Sequence, residues 1–238
     1  MTTSPTTGTI ALVGSGEFLA PILPLDQKLL AHVQGQPRVV ILPTASAPDG
    51  GGVPERWAKM GQEHFGSLGA EVEAVMLLTR EDALKPELVE RIARANFVYF
   101  SGGKPRYLLE TLRGTPAWEA IAEIYHSGGV VAGCSAGAMA MGARLVDFPK
   151  LWQTTAALGL APGLLIIPHF DEIPKVMLSS LNHKQGTTTV GVDGSTGLIG
   201  HAGVWTVYGT GGVTVFERKE RVRYTAGQEI KLPLPPLV

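Results

Sequence analysis

The sequence predicts an α/β fold: a mostly parallel sheet flanked by helices, with an antiparallel β extension at the C-terminal end. Three observations carry this reading. Short β-rich runs alternate with amphipathic stretches over most of the chain, the order expected of βαβ units. The run Val130–Gly133 is apolar throughout, as in a strand buried on both faces of a parallel sheet. Beyond about position 186 the chain turns to short strands separated by glycine turns, a hairpin pattern. At 238 residues the chain is long enough for one large, well-filled domain. With no internal repeat and no dividing linker, residues 1–238 read as that single domain.

Each element has its own signal. Thr9–Val13 reads as a strand ending in Gly14-Ser15-Gly16. Arg38–Pro43 is a second strand, bounded by Pro37 and by the turn-rich Ala45–Gly52. Glu55–Leu68 has helical character, and Val72–Leu78 is a third strand. In the helix predicted from Lys85 to Arg94, Leu88, Val89, Ile92 and Ala93 share one face. Phe97–Phe100 is a strand running into Ser101-Gly102-Gly103. Pro116 suits the first turn of a helix reaching Tyr125, and Gly128-Gly129 close it. The late strands are Thr187–Val192, Thr196–Ile199, Val204–Tyr208 and Val213–Phe216. The proline-rich end, Leu232 to Val238, is expected to be a surface tail, since proline cannot join a central strand.

Composition narrows the function classes. Apolar residues make up 45% of the chain, charged residues 17%, and the net charge is −1. That is an ordinary globular balance, and without a Lys/Arg block neither nucleic acid nor an anionic membrane is expected as a partner. One cysteine, Cys134, excludes an intrachain disulfide and a multi-cysteine metal site. It suits a reducing compartment. The first seven residues have no basic n-region and no apolar h-region. The longest apolar runs fall far short of the roughly 18 residues of a membrane helix. A soluble, cytoplasmic protein is expected. No cofactor is expected either: Gly14-Ser15-Gly16-Glu17-Phe18-Leu19 lacks the third glycine of a dinucleotide fingerprint, and no metal is called for.

The chemistry concentrates at Gly133-Cys134-Ser135-Ala136-Gly137, which joins an apolar strand to the helix-forming Ala138-Met139-Ala140-Met141. In that context G-x-S-x-G is a nucleophile elbow: the serine occupies a strained turn, and its hydroxyl projects from the carboxyl end of the sheet. Side chains at 133 and 137 would clash there. The Ala136 N–H, at the start of the helix, can stabilise an oxyanion. Cys134 is a rival nucleophile, but an elbow centred on it would want glycine at 132, which is Ala132. Its side chain is expected to point into the core.

Gly103, at the end of the Phe97–Phe100 strand, can complete the oxyanion hole beside Ala136, since glycines let backbone N–H groups approach a substrate. For the base, His32, His64 and His126 fall in or beside helical stretches that precede the elbow. His169 stands just past the apolar run Leu164–Pro168, where a strand-end loop would bring it to Ser135; His183 and His201 are rivals. The carboxylate that should hold the imidazole tautomer is open between Asp193 and Asp147. Asp171 and Glu172 stand too close to His169 in sequence to fold back easily.

These residues resemble the aspartyl dipeptidase (peptidase E) and cyanophycinase family of serine peptidases. The likeness covers most of the chain. It includes the opening strand with Gly14-Ser-Gly-Glu17, Val39-Val-Ile-Leu-Pro-Thr-Ala45, Tyr99-Phe-Ser-Gly-Gly103, the elbow, Pro168-His-Phe170 and Val190-Gly-Val-Asp193. The resemblance implies a fold like that of class I glutamine amidotransferases, with serine in place of cysteine. It also implies a triad in the order Ser135, His169, Asp193, and a small peptide as substrate. Gly102, Lys104 and Lys175 are the remaining candidates to contact that substrate, and a homodimer is compatible with the sequence. Two departures stand out. Lys104 follows the glycine pair where relatives usually carry Asn, Asp or Gln, and no arginine occurs between Arg144 and Arg218. Two other readings remain: an esterase-like α/β-hydrolase using Asp147, and a non-catalytic amidotransferase-like binding module.

Overall fold

A computed structural model describes residues 8–147, 150–174, 176, 186–217 and 220–233. In chain order, β1 (Thr9–Val13), α1 (Leu23–His32), β2 (Arg38–Leu42), α2 (Val53–Ser67), β3 (Glu71–Ala74), α3 (Pro86–Ala93) and β4 (Phe97–Phe100) lead to α4 (Pro105–Leu112) and α5 (Pro116–His126). Then β5 (Val130–Cys134) enters α6 (Ala136–Met141), followed by β6 (Gly142–Asp147), β7 (Lys150–Ala156) and β8 (Ala161–Ile167). The chain continues through β9 (Thr188–Val192), β10 (Thr196–His201), β11 (Val204–Gly209), β12 (Gly212–Glu217), β13 (Glu220–Thr225) and β14 (Glu229–Ile230).

Two sheets result among the described residues. The larger has eight strands in the order β14-β11-β10-β1-β5-β4-β2-β3. Its five strands from β1 to β3 are parallel, and β10, β11 and β14 add the antiparallel extension. Alternation along the strands sorts side chains onto two faces. Ile10, Leu12, Val98, Phe100 and Val131 face a core shared with α3, α4, α5 and the second sheet. Ala11, Val13, Phe97, Tyr99 and Ala132 face α1 and α2, where Leu25, Leu29 and Phe65 cover them. Both β1 and β5 are buried along their whole length, which is why they read as unbroken apolar runs. Prolines open α2, α3, α4 and α5, where the missing N–H costs nothing.

A second sheet lies beside the first among the described residues. It has six strands, β13-β12-β9-β8-β6-β7, with β6, β8 and β9 parallel and the flanking pairs antiparallel. Leu164 and Ile166 turn toward the shared core and Leu165 and Ile167 toward a smaller one with Met139, Leu145 and Phe216. The third expected strand is shorter, ending at Ala74. It lies at the sheet edge, and the chain leaves its pairing with β2 there. Only the first two residues of the expected C-terminal tail, Leu232 and Pro233, fall within the described residues. No helix among the described residues is long and apolar enough to cross a membrane.

Candidate active site

Three loops leave the carboxyl ends of neighbouring parallel strands β1, β5 and β4, and they meet around Ser135. Open parallel sheets form their ligand crevices at such ends. Ser135 has φ 49° and ψ −106°, a left-handed conformation that is strained for a residue with a side chain. Its N–H donates to the Val13 carbonyl at 2.9 Å, which ties the turn to β1. The flanking glycines are sterically required. A Cβ at Gly133 would lie 2.5 Å from the Gly137 carbonyl carbon, and one at Gly137 would lie 2.7 Å from the Phe100 Cβ. The α6 helix starts at once, with Ala136 as its first residue.

The loop after β4 lies beside the elbow, with Gly103 and Ala136 lining the same cavity. Gly103 has φ +144°, and a Cβ there would meet the Ala45 backbone at 2.3 Å, so only glycine fits. The loop is tied on either side of it: Lys104 N–H donates to the Ala45 carbonyl at 2.7 Å, and Gly102 N–H donates to Glu17 Oε1 at 2.9 Å. Gly103, Ala136 and Ser135 all line one cavity of about 380 Å³.

His169 arrives from the second sheet, two residues past β8, in a left-handed conformation with φ 51°. Its Nε2 lies 3.1 Å from Ser135 Oγ, within the reach required of a general base. Its Nδ1 lies 3.3 Å from Glu172 Oε1. Asp193, expected beside this nitrogen, has other partners. That carboxylate is buried, and its Oδ2 accepts from Gly212 N–H at 2.9 Å and from the Arg223 guanidinium at 2.5 Å, while Oδ1 has no hydrogen-bond partner among the described residues. Glu172 reaches the imidazole because Phe170–Glu172 forms a 3₁₀ turn, closed by Glu172 N–H donating to the His169 carbonyl at 3.0 Å. Such a turn stacks residues i and i+3, so closeness in sequence favours the contact. Asp171 is used differently, its Oδ1 accepting from Gly194 N–H at 2.7 Å. Asp147 closes β6 in register with Lys150.

Two of the residues expected to contact substrate have partners within the chain. The Gly102 N–H is taken by Glu17, and the Lys104 ammonium pairs with Asp49 at 3.3 Å, so neither side lines the cavity with a free donor. Lys175 lies outside the described residues. Among the rival histidines, His201 Nδ1 meets Thr9 Oγ1 at 2.9 Å at the far end of β1, and His183 lies outside the described residues. Among the described residues, no cluster of three or more His, Cys, Asp or Glu side chains is placed to hold a metal ion.

Glu17 is the residue that sequence reasoning passed over. It is 6% exposed, and while Oε1 holds Gly102, Oε2 accepts from the Cys134 thiol at 3.0 Å. Its neighbour Phe18, at φ 63°, stacks its ring 5.1 Å from that of Tyr99. Burial pushes the Cys134 thiol well above its ordinary pKa, and the Glu17 charge pushes in the same direction. A thiol so held is a poor nucleophile. The available signal was an acidic residue directly after the glycine turn that ends β1, facing the neighbouring strand-end loop.

The profile of Peptidase family S51 matches residues 10–199. Cyanophycinases of Synechococcus elongatus and Thermosynechococcus vestitus are each 25% identical over 198 residues, 78% of this chain. The match spans 60% of each cyanophycinase. An uncharacterized peptidase of Listeria monocytogenes is 26% identical over 70% of this chain and 74% of its own. Among solved structures, a peptidase from an acI-B1 Actinobacterium superposes with a TM-score of 0.87 at 32% identity, covering 96% of this chain and 98% of that one. A putative peptidase E protein from Listeria monocytogenes EGD-e shares the fold, with a TM-score of 0.62 at 18% identity over 92% and 99% of the two chains. With its elbow, its strand-end histidine and a family match over most of its length, the chain belongs to Peptidase family S51.

Proposed function

We propose that this peptidase hydrolyses small peptides through an acyl-enzyme on Ser135. The observation that carries the reading is the 3.1 Å contact between Ser135 Oγ and His169 Nε2 at a strained elbow. His169 takes the proton as Oγ attacks the scissile carbonyl and returns it to the leaving amine. Water then repeats the sequence to release the acid. The N–H groups of Gly103 and Ala136 receive the developing oxyanion. Glu172 orients the imidazole through Nδ1, and Asp193 anchors the β9–β12 corner through Arg223 and Gly212. The order Ser, His, acid along the chain is kept, with the acid at 172. A lone buried cysteine suits a reducing compartment, and we place the enzyme in the cytoplasm.

Ser135→Ala is expected to abolish hydrolysis of dipeptides while leaving the unfolding temperature unchanged. Dipeptide turnover persisting in a clean preparation of that variant would contradict the assignment.

A further inference from the structure

The cavity beside Ser135 has a composition that bears on its substrate. Pro105, Met139, Pro168, Ile173 and Pro174 line it together with Gly103 and Ala136. At about 380 Å³ it falls in the range of small-molecule sites. No lysine or arginine is among its described lining residues, and the one carboxylate there is Glu172. The nearby cation Lys104 is held by Asp49, and Arg106 at the start of α4 lies 3.9 Å from Glu110. A carboxylate entering this space would lose its water against proline, methionine and isoleucine and would face the charge of Glu172, and both effects oppose binding. An apolar side chain would instead exchange water for those same walls.

Building on the hydrolytic role proposed for Ser135 and His169, we propose that this cavity receives an uncharged, apolar side chain. That side chain belongs to the residue whose carbonyl Ser135 attacks. The substrate class is then peptides with leucine, methionine or a residue of similar size at that position, and acidic residues are excluded. The acyl side is assigned because Gly103 and Ala136, which must hold the carbonyl oxygen, line the same space.

The test uses the full chain and has two independent readouts. Titration with a fluorophosphonate reports whether Ser135 is a reactive nucleophile, whatever the substrate. The ratio kcat/KM is then measured on aminoacyl anilides that share one leaving group and differ only in the acyl residue: Leu, Met, Gln, Glu and Asp. We expect Leu and Met to exceed Asp by roughly 100-fold, the scale on which a pocket discriminates by side-chain fit, and Gln to exceed Glu. Ile173→Arg, which sets a cation in the wall, is expected to raise the Asp-to-Leu ratio by roughly tenfold. Reactive Ser135 with Asp or Glu turned over as well as Leu would overturn the apolar assignment and leave the hydrolase reading intact. Reactive Ser135 with no turnover of any member would overturn the substrate class. Failure of both readouts would remove the hydrolase reading and the assignment with it.

Discussion

The two halves of the site are held by different physics. On the nucleophile side, β1, β4 and β5 are buried, and the turns leaving them are fixed by backbone contacts that allow no side chain at Gly103, Gly133 or Gly137. Glu17 ties the loop after β4 to the end of β5. On the base side, His169 is 41% exposed and its partner Glu172 is 67% exposed. That contact lies in water and contributes little, on the scale of about 0.2–1 kcal/mol for exposed polar pairs. The nucleophile is therefore positioned by the fold, whereas the base is positioned by one local turn that a bound substrate would desolvate and strengthen.

This contrast sets an order of expected effects. The largest belongs to the base itself: His169→Ala should lower kcat by about 10³-fold or more with no change in unfolding temperature, read by steady-state kinetics and a thermal melt. A melt that collapses would mean that the imidazole is structural. Next comes Glu17→Ala, which leaves the Gly102 N–H and the Cys134 thiol without their acceptor. A loss of about 1–3 kcal/mol in stability is expected from buried donors left unpaired, read by urea denaturation. Glu17→Gln keeps one acceptor and should recover much of it. An unchanged midpoint for Glu17→Ala would break the picture of a fixed floor.

The two carboxylates sharpen the comparison further. Glu172→Gln is expected to cost about tenfold in kcat with stability unchanged, the modest effect of an exposed orienting group. Asp193→Asn should act mainly on stability, because it weakens a buried acceptor of Gly212 and Arg223. Kinetics and melts on both variants decide this, and a loss of several orders of magnitude in kcat for Asp193→Asn alone would transfer the orienting role to it. The smallest expected effect is at Cys134. Its raised pKa keeps it a protonated thiol at pH 8, and the side chain is fully buried. Iodoacetamide should label it only after denaturation, as read by intact mass. Rapid native labelling would show that the elbow opens.

What was legible in the sequence follows the same division. The elbow could be read because its requirements are local: an apolar strand, two glycines where a Cβ cannot fit, and a helix start. Strand ends near β1, β4 and β5 matched their expected bounds to within a residue for the same reason. His169 was legible as a strand-end histidine. The carboxylate beside it was not, because Asp193 is drawn to Arg223, 30 residues away in β13. The second sheet was hidden for a similar reason. Alternation along β8, β9 and β12 shows which side chains turn inward, but it does not show which strand pairs with which.

The central claim is that a hydroxyl at the carboxyl end of β5 is activated by an imidazole delivered from the other sheet. Peptide mapping of the fluorophosphonate adduct in wild type and in His169→Ala tests it most directly. The expected result is a single modified peptide carrying the adduct on Ser135, with labelling slowed at least 100-fold in the variant. Adduct on another residue, or equal labelling rates in the two proteins, would contradict the account.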